Sequence, residues 1–168
     1  MNFAIRPAVL ADLPALHLVI ERAYRGDSAR MGWTYEADLL SDTRTDLPAL
    51  QAIVSDTEQV LLTLFESGAP LGCVNIANRG DGLTYLGLLC VEPTRQGEHL
   101  GRDLIAAGEE HARARFAAHT IEMTVIEQRR ELIAYYERRG WQSTGEMRDF
   151  PVPLEPALYM EVLAKSLA

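Results

Sequence analysis

The run Leu88-Leu89-Cys90-Val91-Glu92-Pro93-Thr94-Arg95-Gln96-Gly97-Glu98-His99-Leu100-Gly101-Arg102-Asp103-Leu104 holds the residue types that can grip an anion. An apolar strand stops at a proline, a short polar loop with two glycines follows, and a long amphipathic pattern begins. The first amides of a helix have no intrahelical partner, and the helix dipole adds partial positive charge at the same end. Glycine lets a phosphate come close to that backbone, so a phosphorylated ligand is the natural guest. Two known phosphate fingerprints do not fit. Gly-Lys-Ser/Thr is missing, and Gly97 and Gly101 lack the spacing of a dinucleotide GxGxxG loop.

Other reactive residues are sparse. Cys73 and Cys90 fall in separate apolar runs with no CxxC or Cys/His neighbour, so they read as free buried thiols rather than metal ligands. His17, His111 and His119 have no ligand-like spacing, and no metal site is expected. Arg129, Arg130, Arg138 and Arg139 cluster around one short helix, readable as a solvated face or as a contact for a phosphate. Sixteen Lys plus Arg against 24 Asp plus Glu give a net charge of −8, which argues against a nucleic-acid partner. No apolar run reaches the roughly 18 residues of a membrane span, and the N-terminus lacks a signal pattern. A cytoplasmic protein with no membrane partner is therefore expected.

The elements that must position the loop follow from periodicity. Phe3 to Arg6 reads as a strand closed by Pro7, and Asp12 to Tyr24 as a helix capped by Asp12, with Leu13, Leu16, Ile20 and Ala23 on one stripe. Residues 25–36 read as a polar loop with a helical tail to Leu40. Leu47 to Ser55 forms a short helix behind the cap Asp46, with Pro48 tolerated in the first turn. Gln59 to Phe65, Leu71 to Ala77 and Leu83 to Val91 alternate with turn-forming segments, which predicts an antiparallel meander. A helix over Gly97 to Phe116, a strand over Thr120 to Ile126 and a helix over Glu131 to Arg139 stopped by Gly140 come next. Trp141 to Phe150 and Ala157 to Leu163 read as the last strands. The length suits one domain over residues 1–168.

Val91-Glu92-Pro93 followed by Gln96-Gly97-Glu98-His99-Leu100-Gly101 resembles the pyrophosphate loop of the GCN5-related N-acetyltransferases, which reads roughly Arg/Gln-x-x-Gly-x-Gly/Ala after a Val-x-Pro strand end. His99 stands where the first motif glycine is usual. A second stretch, Glu131-Leu132-Ile133-Ala134-Tyr135-Tyr136-Glu137-Arg138-Arg139-Gly140-Trp141, resembles the family's Tyr-x-x-x-Gly-Phe/Tyr signature. Tyr136 matches the tyrosine and Trp141 the aromatic, while Arg129 replaces the asparagine usual seven residues earlier. The order of elements, β-α-α-β-β-β-α-β-α-β-β, is also similar to the family.

The resemblance implies the α/β (α+β) fold of acyl-CoA N-acyltransferases, a mixed, mostly antiparallel central sheet flanked by helices. It implies acetyl-CoA as cosubstrate, no metal, and a primary amine of a small molecule, amino acid or peptide as acceptor. Leu89, Cys90 and Val91 would hold the pantetheine arm. Amides of Gln96, Gly97, Glu98, His99, Leu100, Gly101 and Arg102 would bind the pyrophosphate. Tyr136 would be the general acid that protonates the leaving thiolate. Trp33, Tyr35 and Glu36 would line the acceptor pocket, and Glu92, Glu36 and Asp38 are the carboxylates considered as base. A homodimer is suggested by relatives alone. Because His99 and Arg129 depart from the pattern, the alternative is a non-catalytic acyl-CoA sensor or regulatory domain of the same fold.

Overall fold

A computed structural model of the chain describes residues 2–24, 45–150 and 155–168. Seven strands form one sheet in the order β1-β2-β3-β4-β5-β7-β6. In chain order these are β1 (Phe3–Pro7), β2 (Gln59–Glu66), β3 (Ala69–Gly80), β4 (Leu83–Val91), β5 (Thr120–Ile126), β6 (Gln142–Asp149) and β7 (Tyr159–Ser166). Only β4 and β5 run parallel; every other neighbouring pair is antiparallel. The helix α3 (Leu100–Phe116) makes the crossover that a parallel pair requires. The meander β2-β3-β4 turns through Ser67-Gly68 and Asp81-Gly82, four residues with positive φ, as tight two-residue hairpins need.

Helices cover both faces. On one, α1 (Leu13–Tyr24) and α2 (Leu47–Ser55) bury Leu13, Leu16, Ile20 and Leu50 against Leu61, Cys73 and Cys90. On the other, α3 and α4 (Arg130–Glu137) belong to a larger cluster with Val74, Ile76, Leu86, Ile121, Met123, Ile133 and Trp141. Gly108 explains how closely α3 lies on β3: a Cβ there would sit 2.8 Å from Ile76 Cδ1. Asp46 caps α2 as the sequence predicts, accepting from Ala49 N–H at 2.9 Å.

Several expected boundaries shift: β3 runs Ala69–Gly80 rather than Leu71 to Ala77, and α4 runs Arg130–Glu137 rather than Glu131 to Arg139. Asp12 belongs to a single 3-10 turn before α1, where its carboxylate accepts from Val9 N–H and pairs with Arg6. The third helix starts at Leu100 rather than Gly97, because Gly97 and His99 both take left-handed φ values that no helix contains. The last strand begins at Tyr159 rather than Ala157 and runs on to Ser166, paired residue for residue with β5.

Candidate active site

β4 and β5 are paired for only three rungs, Leu83 with Thr120, Thr84 with Ile121 and Tyr85 with Glu122. Past Tyr85 they separate, since β5 continues alongside β7 while β4 stays with β3. The edge of β4 that faces β5 is then left without a strand partner, and an extended amide-bearing ligand can pair with it. A bulge sits in the same stretch. Between Cys73↔Cys90 and Asn75↔Gly87 two steps on β3 oppose three on β4, and Leu88 takes up the excess with φ 49°. Two groups of α1 fix this segment: Tyr24 Oη donates to Leu89 O, and Arg22 forks onto Glu92 with contacts of 2.7 and 3.0 Å.

The start of α3 is open. Among the described residues no side chain caps it, and its first backbone bond runs from Asp103 N–H to His99 O. Amides of the preceding turn are therefore available to an outside acceptor. Gly97, with φ 94°, has nothing within 4 Å of where a Cβ would be, so the loop surface is unobstructed there. Gly101 lies on the end of β4, its Cβ position 3.8 Å from Val91 Cγ2. His99 holds φ 66° and its side chain is exposed. A non-glycine residue in that conformation costs about 1 kcal/mol, which explains why glycine suits the position. Arg95 ties the loop to β2, contacting Glu66 at 2.9 Å and Glu98 at 2.7 Å, and it holds both carboxyls below their usual range. The acid in the loop is thereby paired before any phosphate arrives.

Tyr136 is 7% exposed and shares the buried cluster of Val91 and Leu100, the last residue of β4 and the first of α3. Its ring meets Trp141 edge to face with centroids 6.3 Å apart. Burial pushes the phenol up from its usual range, and the neighbouring Tyr135 adds to that, while Arg129 acts in the opposite direction. The neutral phenol is the form present at pH 7. Arg129 is itself buried, contacts Glu131 at 3.0 Å, and its carbonyl accepts from Leu132 and Ile133 as α4 begins.

The acetyltransferase (GNAT) family model matches residues 20–141. The chain belongs to the GNAT acetyltransferase family. The GNAT fold is found along its length in solved structures of low identity. It aligns over 100% of its length with 95% of yncA from Salmonella typhimurium, solved with its cofactor acetyl-CoA, at 20% identity and TM-score 0.74. It aligns over 99% with 95% of the ribosomal-protein-S18-alanine N-acetyltransferase from Escherichia coli, at 17% and 0.75. It aligns over 99% with 99% of the paiA N-acetyltransferase from Thermoplasma acidophilum in complex with coenzyme A, at 15% and 0.76. No significantly similar sequence is found among curated proteins.

Against this GNAT frame, the expected cofactor-binding residues come together. Leu89, Cys90 and Val91 form the end of β4, paired with β3 on one side only, and Gln96 to Arg102 form the turn into α3 and its first residues. Cys90 faces Cys73, with 3.8 Å between the sulfurs. Trp33, Tyr35, Glu36 and Asp38 lie outside the described residues. Glu92, considered as a base and expected to be a solvated carboxylate, is instead tied to Arg22. The arginine cluster is not one solvated face either: Arg129 is buried, Arg130 pairs with Glu161 at 3.0 Å, and Arg139 lies 3.6 Å over the Tyr135 ring. The bulge at Leu88 carries only the neighbouring Gly87 as a mark within an otherwise regular strand pattern, and the pins from Tyr24 and Arg22 have no local mark because both span more than 60 residues. Among the described residues no group of three His, Cys, Asp or Glu could hold a metal, and no helix is long and apolar enough to cross a membrane.

Proposed function

We propose that the chain is an acetyl-CoA-dependent N-acetyltransferase that moves the acetyl group to a primary amine of a small molecule, amino acid or peptide. The observation that carries this reading is the adjacency of the uncapped start of α3 to the unpaired, bulged edge of β4. Amides from Gln96 to Arg102 would take the diphosphate, and the backbone of Leu89 to Val91 the pantetheine. Acetyl-CoA supplies an activated thioester when bound. The amine nitrogen attacks its carbonyl carbon, forming the C–N bond, and a fixed N–H near Cys90 or Val91 stabilises the oxyanion without reorganisation. Collapse breaks the C–S bond and Tyr136 gives its proton to the leaving sulfur, while the proton shed by the amine nitrogen passes to solvent water, from which the Tyr136 phenolate is reprotonated. Burial that weakens this phenol as an acid also makes a desolvated thiolate a stronger base, so the pair stays matched.

Incubation with acetyl-CoA and a panel of amines should release thiol and yield acetylated amine in equal amounts. Tyr136→Phe should cut kcat about 100-fold, the scale of general-acid help, with acetyl-CoA affinity unchanged. Unaltered turnover would remove Tyr136 from the role. Tight coenzyme A binding with no product from any amine would favour the sensor reading.

A further inference from the structure

The proposed reaction needs a seat for the acceptor amine beside the proposed thioester, and the residues expected there from the sequence, Trp33, Tyr35 and Glu36, lie outside the described residues. On the face covered by α1 and α2 the sheet holds a cavity of about 260 Å³ whose inner wall is Tyr85, Gly87 and Leu88 of β4 and Asn75 of β3. Leu88 is the bulge residue, so the cavity opens onto the segment that carries the proposed thioester. Gly87 makes the room. It has no positive φ to demand glycine, and a Cβ would meet nothing closer than the Tyr85 ring edge at 3.2 Å. Glycine inside a strand marks a bulge or a close approach, and Gly87 stands both at the bulged step and in the wall of the cavity.

Two acceptor atoms flank that gap. Asn75 is directly across from Gly87 in the β3–β4 register and is 8% exposed. Its Nδ2 donates to Gln59 Oε1 at 3.2 Å and to Val60 O at 3.3 Å, so its Oδ1 is left as the atom that can accept. Tyr85, two residues before Gly87 and on the same face, has its hydroxyl 2.5 Å from Thr124 Oγ1. That bond spans the point where β4 and β5 part. With Tyr85 donating to Thr124, the lone pairs of its Oη are free to accept.

We infer that Asn75 Oδ1 and Tyr85 Oη seat the acceptor amine over Gly87, with Thr124 fixing the Tyr85 hydroxyl. An alkylammonium arrives with three N–H groups; after one proton passes to solvent water, two remain and the lone pair can attack. Two acceptors on one side of the nitrogen hold those two N–H groups and turn the lone pair toward the bulge. This assignment rests on the acetyl-transfer reading for its purpose, but the seat itself is a binding site and can be measured without turnover.

The test titrates n-butylamine into the ¹⁵N-labelled protein saturated with coenzyme A, which cannot react. The Asn75 side-chain amide and the Gly87 N–H signals should shift together. Tyr85→Phe and Thr124→Val should weaken that binding about 3–10-fold, the worth of one hydrogen bond, while coenzyme A affinity holds and the melting temperature falls by no more than a few degrees, the loss of the Tyr85–Thr124 bond itself. Shifts that map elsewhere, or a Tyr85→Phe titration identical to wild type, overturn the seat even if the protein acetylates amines. A parallel assay with acetyl-CoA and the panel of amines, n-butylamine included, separates the two claims: binding at Asn75 and Gly87 with no product from any amine sinks the enzymatic reading and leaves the seat standing. Neither binding nor product overturns both.

Discussion

The two sides of β4 solve different problems with different kinds of groups. On the proposed coenzyme A side the partners would be backbone atoms: the amides before α3 and the edge of β4 without a strand partner past Tyr85. On the proposed acceptor side they would be side chains, Asn75 and Tyr85 beside a glycine, with Thr124 bonded to Tyr85. A backbone site is built by local geometry and tolerates many residue types. A side-chain site depends on which residue stands at each position. The cofactor half should therefore respond to changes in space and charge, and the acceptor half to loss of single hydroxyls or amides.

The largest expected effect is on the wall the two halves share. A Cβ on Gly72 would lie 2.4 Å from Cys90 O, a backbone atom that cannot move aside cheaply. Gly72→Ala should cost about 3 kcal/mol in thermal or denaturant unfolding, the upper range for overpacking. A loss below about 1 kcal/mol would mean that the β4 edge is softer than its contacts suggest. Next comes charge. Gly101→Asp places a carboxylate in the first turn of α3, where the helix dipole welcomes it and a diphosphate does not. Acetyl-CoA affinity should fall on the order of 100-fold with the melting temperature unchanged or raised. Equal affinity would take the diphosphate away from this helix end.

A smaller gain is expected at residue 99. His99→Gly relieves the left-handed conformation and should raise stability by up to about 1 kcal/mol, or about 2–4 °C for a chain of this size. Acetyl-CoA binding should be undiminished if the exposed imidazole has no part in the grip; a clear loss would give His99 a direct phosphate contact. The smallest effect is a pH dependence far from both halves. His111 has a buried Nε2 with no partner among the described residues, and burial, then Arg115, lowers its pKa from the usual 6.5. The unfolded chain then binds this proton more readily than the folded one. Its contribution to stability is complete above pH 6.5 and is lost progressively as the pH falls toward the depressed value. His111→Gln should flatten the melting-temperature curve between pH 7.5 and 5.5, a window in which Glu66 and Glu98 stay ionised beside Arg95. An unchanged slope would assign the dependence to other groups.

What could be read from the sequence follows the same division. The turn into α3 was legible because proline, two glycines and the onset of helical period are all local, and the strand and helix order followed from alternation and caps. Its detail was less so: the left-handed His99 shortened the helix, which periodicity alone extended back to Gly97. The acceptor face was not legible, because Asn75, Tyr85 and Thr124 meet only after β3, β4 and β5 pair. Two faint signals were present, a polar Asn75 inside the apolar run Leu71 to Ile76 and Gly87 inside a strand that needs no turn. Glu92 reads from the sequence as a solvated carboxylate at the strand end, because the arginine that holds it, Arg22 of α1, lies 70 residues away.

The central claim is tested most directly by a crystal structure of the protein with acetyl-CoA. The account predicts the diphosphate against the amides of residues 97–102, the pantetheine paired with β4 past Tyr85, and the sulfur within hydrogen-bond reach of Tyr136 Oη. A diphosphate bound elsewhere, or a sulfur separated from that hydroxyl by packed side chains, would contradict it.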